Sequence, residues 1–478
     1  MANIRVYHTH IEVFPYSLGD CPQIEWSLSK KDPVTKQRET VAFFVEDHTL
    51  YIPRGINGSL LERYFSSTPI VDYQYDEYER IKKGEVLVEP KSRMQAEAIR
   101  FLNAEEDFSY SGRYSQLGLN LPTGDGKTLA TVSSILHYKM KTIIIMHKKK
   151  LKEEWYNEFR TKTDFPLDQI VDIQGSETIE QIMKDKVKGE IYLVLHQTLN
   201  TYARENGWKS LREFFKKIKV GIKVFDEAHK FFRNCLMIDF FSNTYKTFYL
   251  TATFGRADNK ELEIYKKSYS SMIRFGEEAN EYKEKRHHCN MCVVFFHSHP
   301  DGFPNVRTGY GFSAYKYIDY ELNEENHSLM KVLHNILDMT KRLEGRIAIT
   351  SPKVDSVIAI AEDVKEYTGK DVGILHSKLP EELLEENYKK DVISATVKMI
   401  GEGDNIKGLR ILINLNPLGS KDNLDQLIGR LREYSEDKET YVFYPIDLSV
   451  PDCYEFYKRA LPMLKKKCKA VVKYELRV

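Results

Sequence analysis

Residues 117–138 read LGLNLPTGDGKTLATVSSILHY. The opening LGLNL has the composition of a buried strand and the closing TLATVSSILHY that of a helix. Between them lies Leu121-Pro122-Thr123-Gly124-Asp125-Gly126-Lys127-Thr128. A glycine-rich turn from strand to helix is the setting of a phosphate-binding loop. Gly124 and Gly126 let backbone N–H groups turn toward phosphate oxygens at a helix N-terminus. Lys127 then reaches the β- and γ-phosphates of ATP, and Thr128 ligates Mg2+. The loop departs from GxxxxGK[ST] at its first position, which is Leu121. An ordinary glycine turn ahead of a helix is the competing explanation.

A second segment weighs against that alternative. Residues 220–225, VGIKVF, form an apolar run that ends in Asp226-Glu227-Ala228-His229. An acidic pair at the C-terminal end of a buried strand is costly unless a cation is nearby. Asp226 fits as the partner of Mg2+, through water, and Glu227 as the base that orients an attacking water. His229 fits as a link between nucleotide state and the neighbouring strand. The alternative, a helix N-cap built of Asp and Glu, is poor downstream of a phosphate loop.

Outward from these two segments, residues 86–284 alternate buried runs (LGLNL, KTIIIMH, IYLVLH, VGIKVFD, KTFYLTA) with helical stretches such as KKLKEEWYNEFR. A similar set covers 285–450: NMCVVFFH, RIAITS, DVGILH, TVKMI, RILINLN and TYVFYPI, with helices such as SVIAIAEDVKEYTG. Continuous apolar runs separated by helices predict parallel sheets covered on both faces, hence two α/β lobes that bind ligands at their strand ends. Residues 1–85 predict a small α+β domain, with a helix at Ser59–Phe65. Its aromatic-rich strands suit DNA contact and a plain core equally. Residues 451–478 predict a basic C-terminal helix carrying Lys465, Lys466, Lys467 and Lys469.

Lys+Arg 71 against Asp+Glu 70 gives a net charge of +1, so any nucleic-acid surface is a local basic channel. Six cysteines in 478 residues are too sparse for a disulfide framework. MANIRVYHTHIEVF lacks the basic start and apolar run of a signal peptide, and no stretch approaches the ~20 apolar residues of a membrane span. The expectation is a soluble, cytoplasmic protein with no membrane partner.

The motifs, in their order, resemble those of the superfamily 2 helicases over roughly residues 90–450. Arg93-Met94-Gln95 looks like the adenine-recognition element, with Gln95 as base reader. The phosphate loop follows, then His147-Lys148-Lys149-Lys150 with Trp155, then Leu195-His196-Gln197-Thr198. Next come the DEAH box and Leu250-Thr251-Ala252-Thr253, similar to the family's coupling motif. Gly401-Glu402-Gly403-Asp404 resembles motif V, with Gly403 and Asp404 near the nucleotide. Gln426-Leu427-Ile428-Gly429-Arg430 resembles motif VI, whose Gln426 and Arg430 act in catalysis. The resemblance implies two tandem RecA-like lobes and makes Arg430 the arginine finger on the γ-phosphate, a task suited to a guanidinium. The family's second arginine position holds Glu433, and Arg432, one place earlier, is its substitute.

The resemblance further implies that nucleic acid runs across both lobes, bound through its phosphates without regard to sequence. The first lobe offers Lys148, Lys149, His196, Gln197 and Thr198; the second offers Ser351, Lys353, Thr396, Lys398 and Gly401. The run TATFGRADNKE looks most like the branch of phage UvsW and XPB, which implies a monomeric, phage-encoded DNA helicase acting on forks or junctions in recombination, replication or repair alongside other such proteins. Three alternatives stay open: a double-strand translocase of restriction type, an RNA helicase, and a nucleic-acid scaffold with a dead ATPase. A small-molecule kinase would not need the second lobe.

Two segments invite further readings. His287, His288, Cys289 and Cys292, with His297 and His299, suggest zinc, but only one CxxC is present and a strand opening the second lobe explains the same residues. Residues 300–320, PDGFPNVRTGYGFSAYKYIDY, suggest a loop or hairpin. There Arg307 and Tyr310, beside Phe303, Phe312, Tyr315, Lys316 and Tyr317, either contact bases or tuck onto their own lobe.

Overall fold

The computed structural model describes residues 2–31, 37–71, 75–121, 126–251, 259–276, 289–299, 306–309, 311–323, 328–402, 406, 408–417, 424, 427–428, 431 and 439–477. The chain divides into two compact units, Met1–Tyr282 and Lys283–Val478. No helix among the described residues is long and apolar enough to cross a membrane.

The first unit holds a seven-stranded sheet in the order Ile170–Ile173, Ile191–Leu195, Thr142–Met146, Ile222–Asp226, Lys246–Thr251, Gln116–Asn120, Ile273–Phe275. All six pairings are parallel. The apolar runs make the central strands: Ile143, Ile144, Ile145, Val224, Phe225 and Phe248 have no exposed surface. The register brings the motif-bearing strand ends together. Asp226 lies opposite Leu250, and Thr251 lies opposite Asn120, the last strand residue before the phosphate loop.

The second unit repeats the architecture in the order Val372–Leu375, Val392–Thr396, Arg346–Ser351, Leu409–Asn414, Tyr441–Asp447, Cys289–Phe296, Cys468–Glu475, again wholly parallel. The two units are tandem RecA-like lobes. Two expectations need correction here. The strand expected at TVKMI is Val392–Thr396, and the chain turns helical at Val397–Glu402. The expected C-terminal helix ends at Lys467, and Cys468–Glu475 forms an edge strand. Its lysines disguised a strand that has a neighbour on one side only, where charged side chains are the usual guard against further pairing.

At the N-terminus, a mixed sheet in the order Phe44–Glu46, Thr49–Pro53, His10–Phe14, Asn3–Val6, Ile70–Val71 carries the helix Gly58–Phe65, capped by Asn57. This sheet shares one continuous core with the first lobe: Val13, Leu50 and Ile52 belong with Phe240, Phe241 and Tyr249. Gly55 lies so close to the lobe that a Cβ there would come within 2.5 Å of the Lys267 and Ser268 carbonyl oxygens.

A buried polar network underlies that junction. Lys223, fully buried on the Ile222–Asp226 strand, pairs with Asp239 Oδ1 at 2.6 Å and also contacts Ser242 Oγ. Asp239 Oδ2 accepts from Tyr249 at 2.7 Å, and the Ser242 carbonyl accepts from Thr9 of the N-terminal domain. Removing one member of a buried pair strands the other charge. Lys223→Met is therefore expected to lower stability by ~3–5 kcal/mol, and Lys223→Met with Asp239→Leu to recover most of it. Chemical denaturation of the three proteins, followed by circular dichroism, measures this.

Candidate nucleotide site

The helix Lys127–Tyr138 begins at Gly126, whose φ of +81° is left-handed. A side chain at this position would be strained and also blocked, because a Cβ would fall 1.8 Å from Gln95 Nε2. Gln95 lies on the helix Arg93–Asn103, capped by Ser92, and is 1% exposed. Its Nε2 donates to the Gly126 carbonyl at 3.0 Å, and its Oε1 accepts from Lys91 N–H at 2.8 Å. The residue expected to read adenine thus braces the phosphate loop from behind.

Lys127 is buried. Its Nζ donates to the Leu121 carbonyl at 3.0 Å and stands 3.7 Å from Glu227 Oε1. Glu227 is itself left-handed, at φ 53°, which turns its side chain back toward the loop. Its other oxygen, Oε2, is 3.3 Å from His229 Nδ1, and that nitrogen is 2.7 Å from Thr251 Oγ1. Lys127, Glu227, His229 and Thr251 therefore form one chain from the phosphate loop to the end of the next strand.

Asp226 accepts at Oδ2 from the Trp155 indole N–H, 2.9 Å away. Burial, and then the adjacent Glu227 charge, push its carboxyl up to about 7. Glu227 moves the other way: burial raises it, but Lys127, His229 and His147 together hold it below the usual carboxylate range. Lys127, His229, His147 and Lys230 stand around this desolvated carboxylate pair, whose hard oxygen donors, with the half-buried Thr128 next to Lys127 in the chain, suit Mg2+.

Pro122, Thr123, Gly124, Asp125, Thr253, Tyr310, Gly403, Asp404, Gln426, Arg430 and Arg432 lie outside the described residues. Among the expected phosphate contacts, Lys148 is the N-cap of the helix Lys149–Lys162, and Lys149 is exposed at its start. Gln197 and Thr198 stand in the first turn of the helix His196–Asn206, Gln197 exposed. In the second lobe Lys398 is exposed and Thr396 half-buried, and Gly401 lies in the helix Val397–Glu402.

Several of these residues have partners within the protein. His196 is buried, stacked on Phe231 with ring centroids 4.5 Å apart, and hydrogen-bonded through Nδ1 to Asn234 at 2.8 Å. Ser351 is fully buried and shares its hydroxyl with Ser356 at 2.6 Å. Lys353 is paired with Asp319. Arg307 forms a two-pronged bond to Asp452 at 2.9 and 3.0 Å, Phe312 packs on Phe456, and Tyr317 is 2% exposed. Those parts of the aromatic segment sit on their own lobe, and Ala314–Asn323 is a helix. Cys289 and Cys292 lie in the strand Cys289–Phe296. Sequence reasoning missed that Trp155 bonds Asp226, because nothing local marks a contact between residues so far apart in the chain.

Residues 90–256 match the family described as ResIII, the res subunit of type III restriction enzymes. That stretch takes in Gln95, the phosphate loop, the acidic pair and Thr251. No curated protein matches the chain in sequence. Among solved structures, S. cerevisiae Dbp5 bound to RNA and ADP BeF3 aligns over 81% of this chain and 90% of its own, at 13% identity and a TM-score of 0.52. An HsdR subunit fragment of a type I restriction enzyme from Vibrio vulnificus YJ016 aligns over 80% and 68%, at 11% identity and a TM-score of 0.53. Both share the fold of tandem RecA-like lobes. T4 UvsW aligns over 99% of both chains at 16% identity, with a TM-score of 0.36, too low to bear on the fold.

Two outcomes are expected of this site. Gly126→Ala introduces a clash and left-handed strain of order 1–3 kcal/mol, and nucleotide binding, followed with a fluorescent ADP, should be lost while the chain stays folded. His196 is pushed down from 6.5 to about 4 by burial and then by His147. The unfolded chain takes up its proton first, so stability falls as pH drops from about 6.5 to 4, by roughly 2–3 kcal/mol. Denaturation across that range should show a shallower fall in His196→Gln.

Proposed function

We propose that the chain is an ATP-driven motor on nucleic acid, and that its substrate is forked or junction DNA. The observation that carries the motor is the chain Lys127–Glu227–His229–Thr251, which ties a nucleotide-binding lysine and a candidate base to the end of the neighbouring strand. Asp226 and Thr128 would hold Mg2+, which supplies charge neutralisation between the β- and γ-phosphates. Lys127 holds the phosphates, Glu227 orients the attacking water and receives its proton, and Arg430 stabilises charge on the transferring group. His229 and Thr251 register which of these states Glu227 is in. Lys148, Lys149, Gln197, Thr198 and Lys398 would grip phosphates, and binding should weaken with salt. The choice of DNA junctions rests on the UvsW- and XPB-like run 251–261, and with it a phage origin.

The match of residues 90–256 to a restriction subunit family favours a second reading, a motor that tracks duplex DNA without parting the strands. Steady-state ATP hydrolysis with no nucleic acid, single-stranded DNA, duplex, a four-way junction and RNA separates these readings. Junction DNA should stimulate turnover most. Lys127→Ala, Glu227→Gln and Arg430→Ala should each reduce it by 10²-fold or more. Stimulation by duplex without strand separation would replace the helicase with the translocase. RNA as sole activator would overturn DNA, and no stimulation at all would overturn the motor in favour of a scaffold.

A further inference from the structure

The Trp155 indole donates to Asp226 Oδ2 at 2.9 Å between two side chains that are 1% and 8% exposed. Trp155 belongs to the helix Lys149–Lys162, which follows the strand Thr142–Met146, a sheet neighbour of Ile222–Asp226. A tryptophan that merely fills a core needs some acceptor for its N–H. Here the acceptor is the carboxylate that the proposed function assigns to Mg2+. An indole N–H carries no charge and does not titrate, so it can fix the direction of a carboxylate without competing for the cation. The charged group of the site, Lys127, stands against Glu227 instead.

The same helix starts at Lys149 and Lys150, both exposed, with Lys148 as its N-cap. Lys149 and Trp155 are separated by ~9 Å of helix at a rise of 1.5 Å per residue. The helix is anchored along its length: Phe159 is fully buried, and Lys152 Nζ donates to the Ile173 carbonyl at 2.8 Å and pairs with Asp172. These anchors keep the helix one rigid element, so a displacement at its N-terminal turn would be shared by the indole and the carboxylate it holds.

We propose that Trp155 is a positioning residue for Asp226, and that the helix Lys149–Lys162 conveys nucleic-acid engagement at Lys148–Lys150 to the metal-binding carboxylate. The inference rests on the nucleotide-site reading above. Partners that orient a metal ligand typically contribute 10- to 100-fold to metal affinity, which sets the size of the expected effect.

Trp155→Phe keeps an aromatic ring and deletes the N–H. Mn2+ binding in the presence of ADP, read by electron paramagnetic resonance on the full chain, is compared for wild type, Trp155→Phe and Lys127→Ala, with thermal unfolding alongside. Trp155→Phe should weaken Mn2+ binding by ~10- to 100-fold and lower the ratio of single-stranded-DNA-stimulated to basal turnover. Mn2+ affinity within about twofold of wild type would overturn the proposal whatever the melting temperature does, because a packing role moves only the latter. If Trp155→Phe does not fold, Trp26→Phe with Trp208→Phe leaves Trp155 as the only indole. Its emission should respond to Mn2+ with ADP and not to ADP alone, and the absence of that difference overturns the proposal. Failure of the underlying reading looks different: wild type then binds Mn2+ and ADP no better than Lys127→Ala.

Discussion

Asp226 and Glu227 close a strand whose other residues are buried, and two adjacent carboxylates there are costly to desolvate. The first lobe is arranged around that cost. Glu227 adopts a left-handed backbone, unfavourable by roughly 1–2 kcal/mol for a residue with a side chain, and thereby directs its carboxylate to Lys127 and His229. Gly126 takes the left-handed turn that starts the next helix, and Gln95 closes the space behind it. Each of these positions makes sense once a polyanion and its cation are expected at the strand ends.

The same strand provides an internal control. Lys223, near its start, is as deeply buried as Asp226, yet it is fully answered from within the protein by Asp239 and Ser242. Asp226 receives one neutral indole N–H. One end of the strand is satisfied by the fold and the other is held by a neutral donor. That contrast is the one expected between a structural buried charge and one reserved for the proposed Mg2+. The N-terminal domain bonds to the satisfied end, where Thr9, in the turn before His10–Phe14, donates to the Ser242 carbonyl.

Much of this was legible in the sequence because periodicity and order are local properties. The runs KTIIIMH, VGIKVFD and RILINLN announced buried parallel strands, and PTGDGKT with DEAH pointed to the strand ends where Lys127 and Glu227 meet. What stayed hidden depends on contacts between distant segments. His196 looked like a polar residue at a strand end, but Phe231 and Asn234 claim it from another element. For Arg307 the sequence left base contact and a place on its own lobe equally open, and its bond to Asp452 comes from a residue far along the chain. Composition misled at residues 468–475, where lysines typical of a helix surface are those of an edge strand. The bond from Trp155 to Asp226 had no local signature, since a tryptophan in an amphipathic helix reads as core.

A motor differs from a plain ATPase in needing the hydrolysis centre to be mechanically legible elsewhere. In the motor proposed above, short-range bonds rather than a long path would meet this need. Glu227 is two residues from His229, and His229 bonds Thr251 on the neighbouring strand through the same nitrogen that faces Glu227. When Glu227 changes charge or partner, that nitrogen must choose again between a carboxylate and a hydroxyl. A choice between two acceptors is discrete, and discrete alternatives in a packed lobe shift an element as a unit instead of fading with distance. On the other flank, Trp155 holds Asp226 from a helix that begins with lysines. The two acidic residues are therefore tied to different elements, one to the strand that ends at Thr251 and one to the helix that starts at Lys149. In the proposed motor, base and metal ligand would then answer to separate inputs although they are neighbours in the chain.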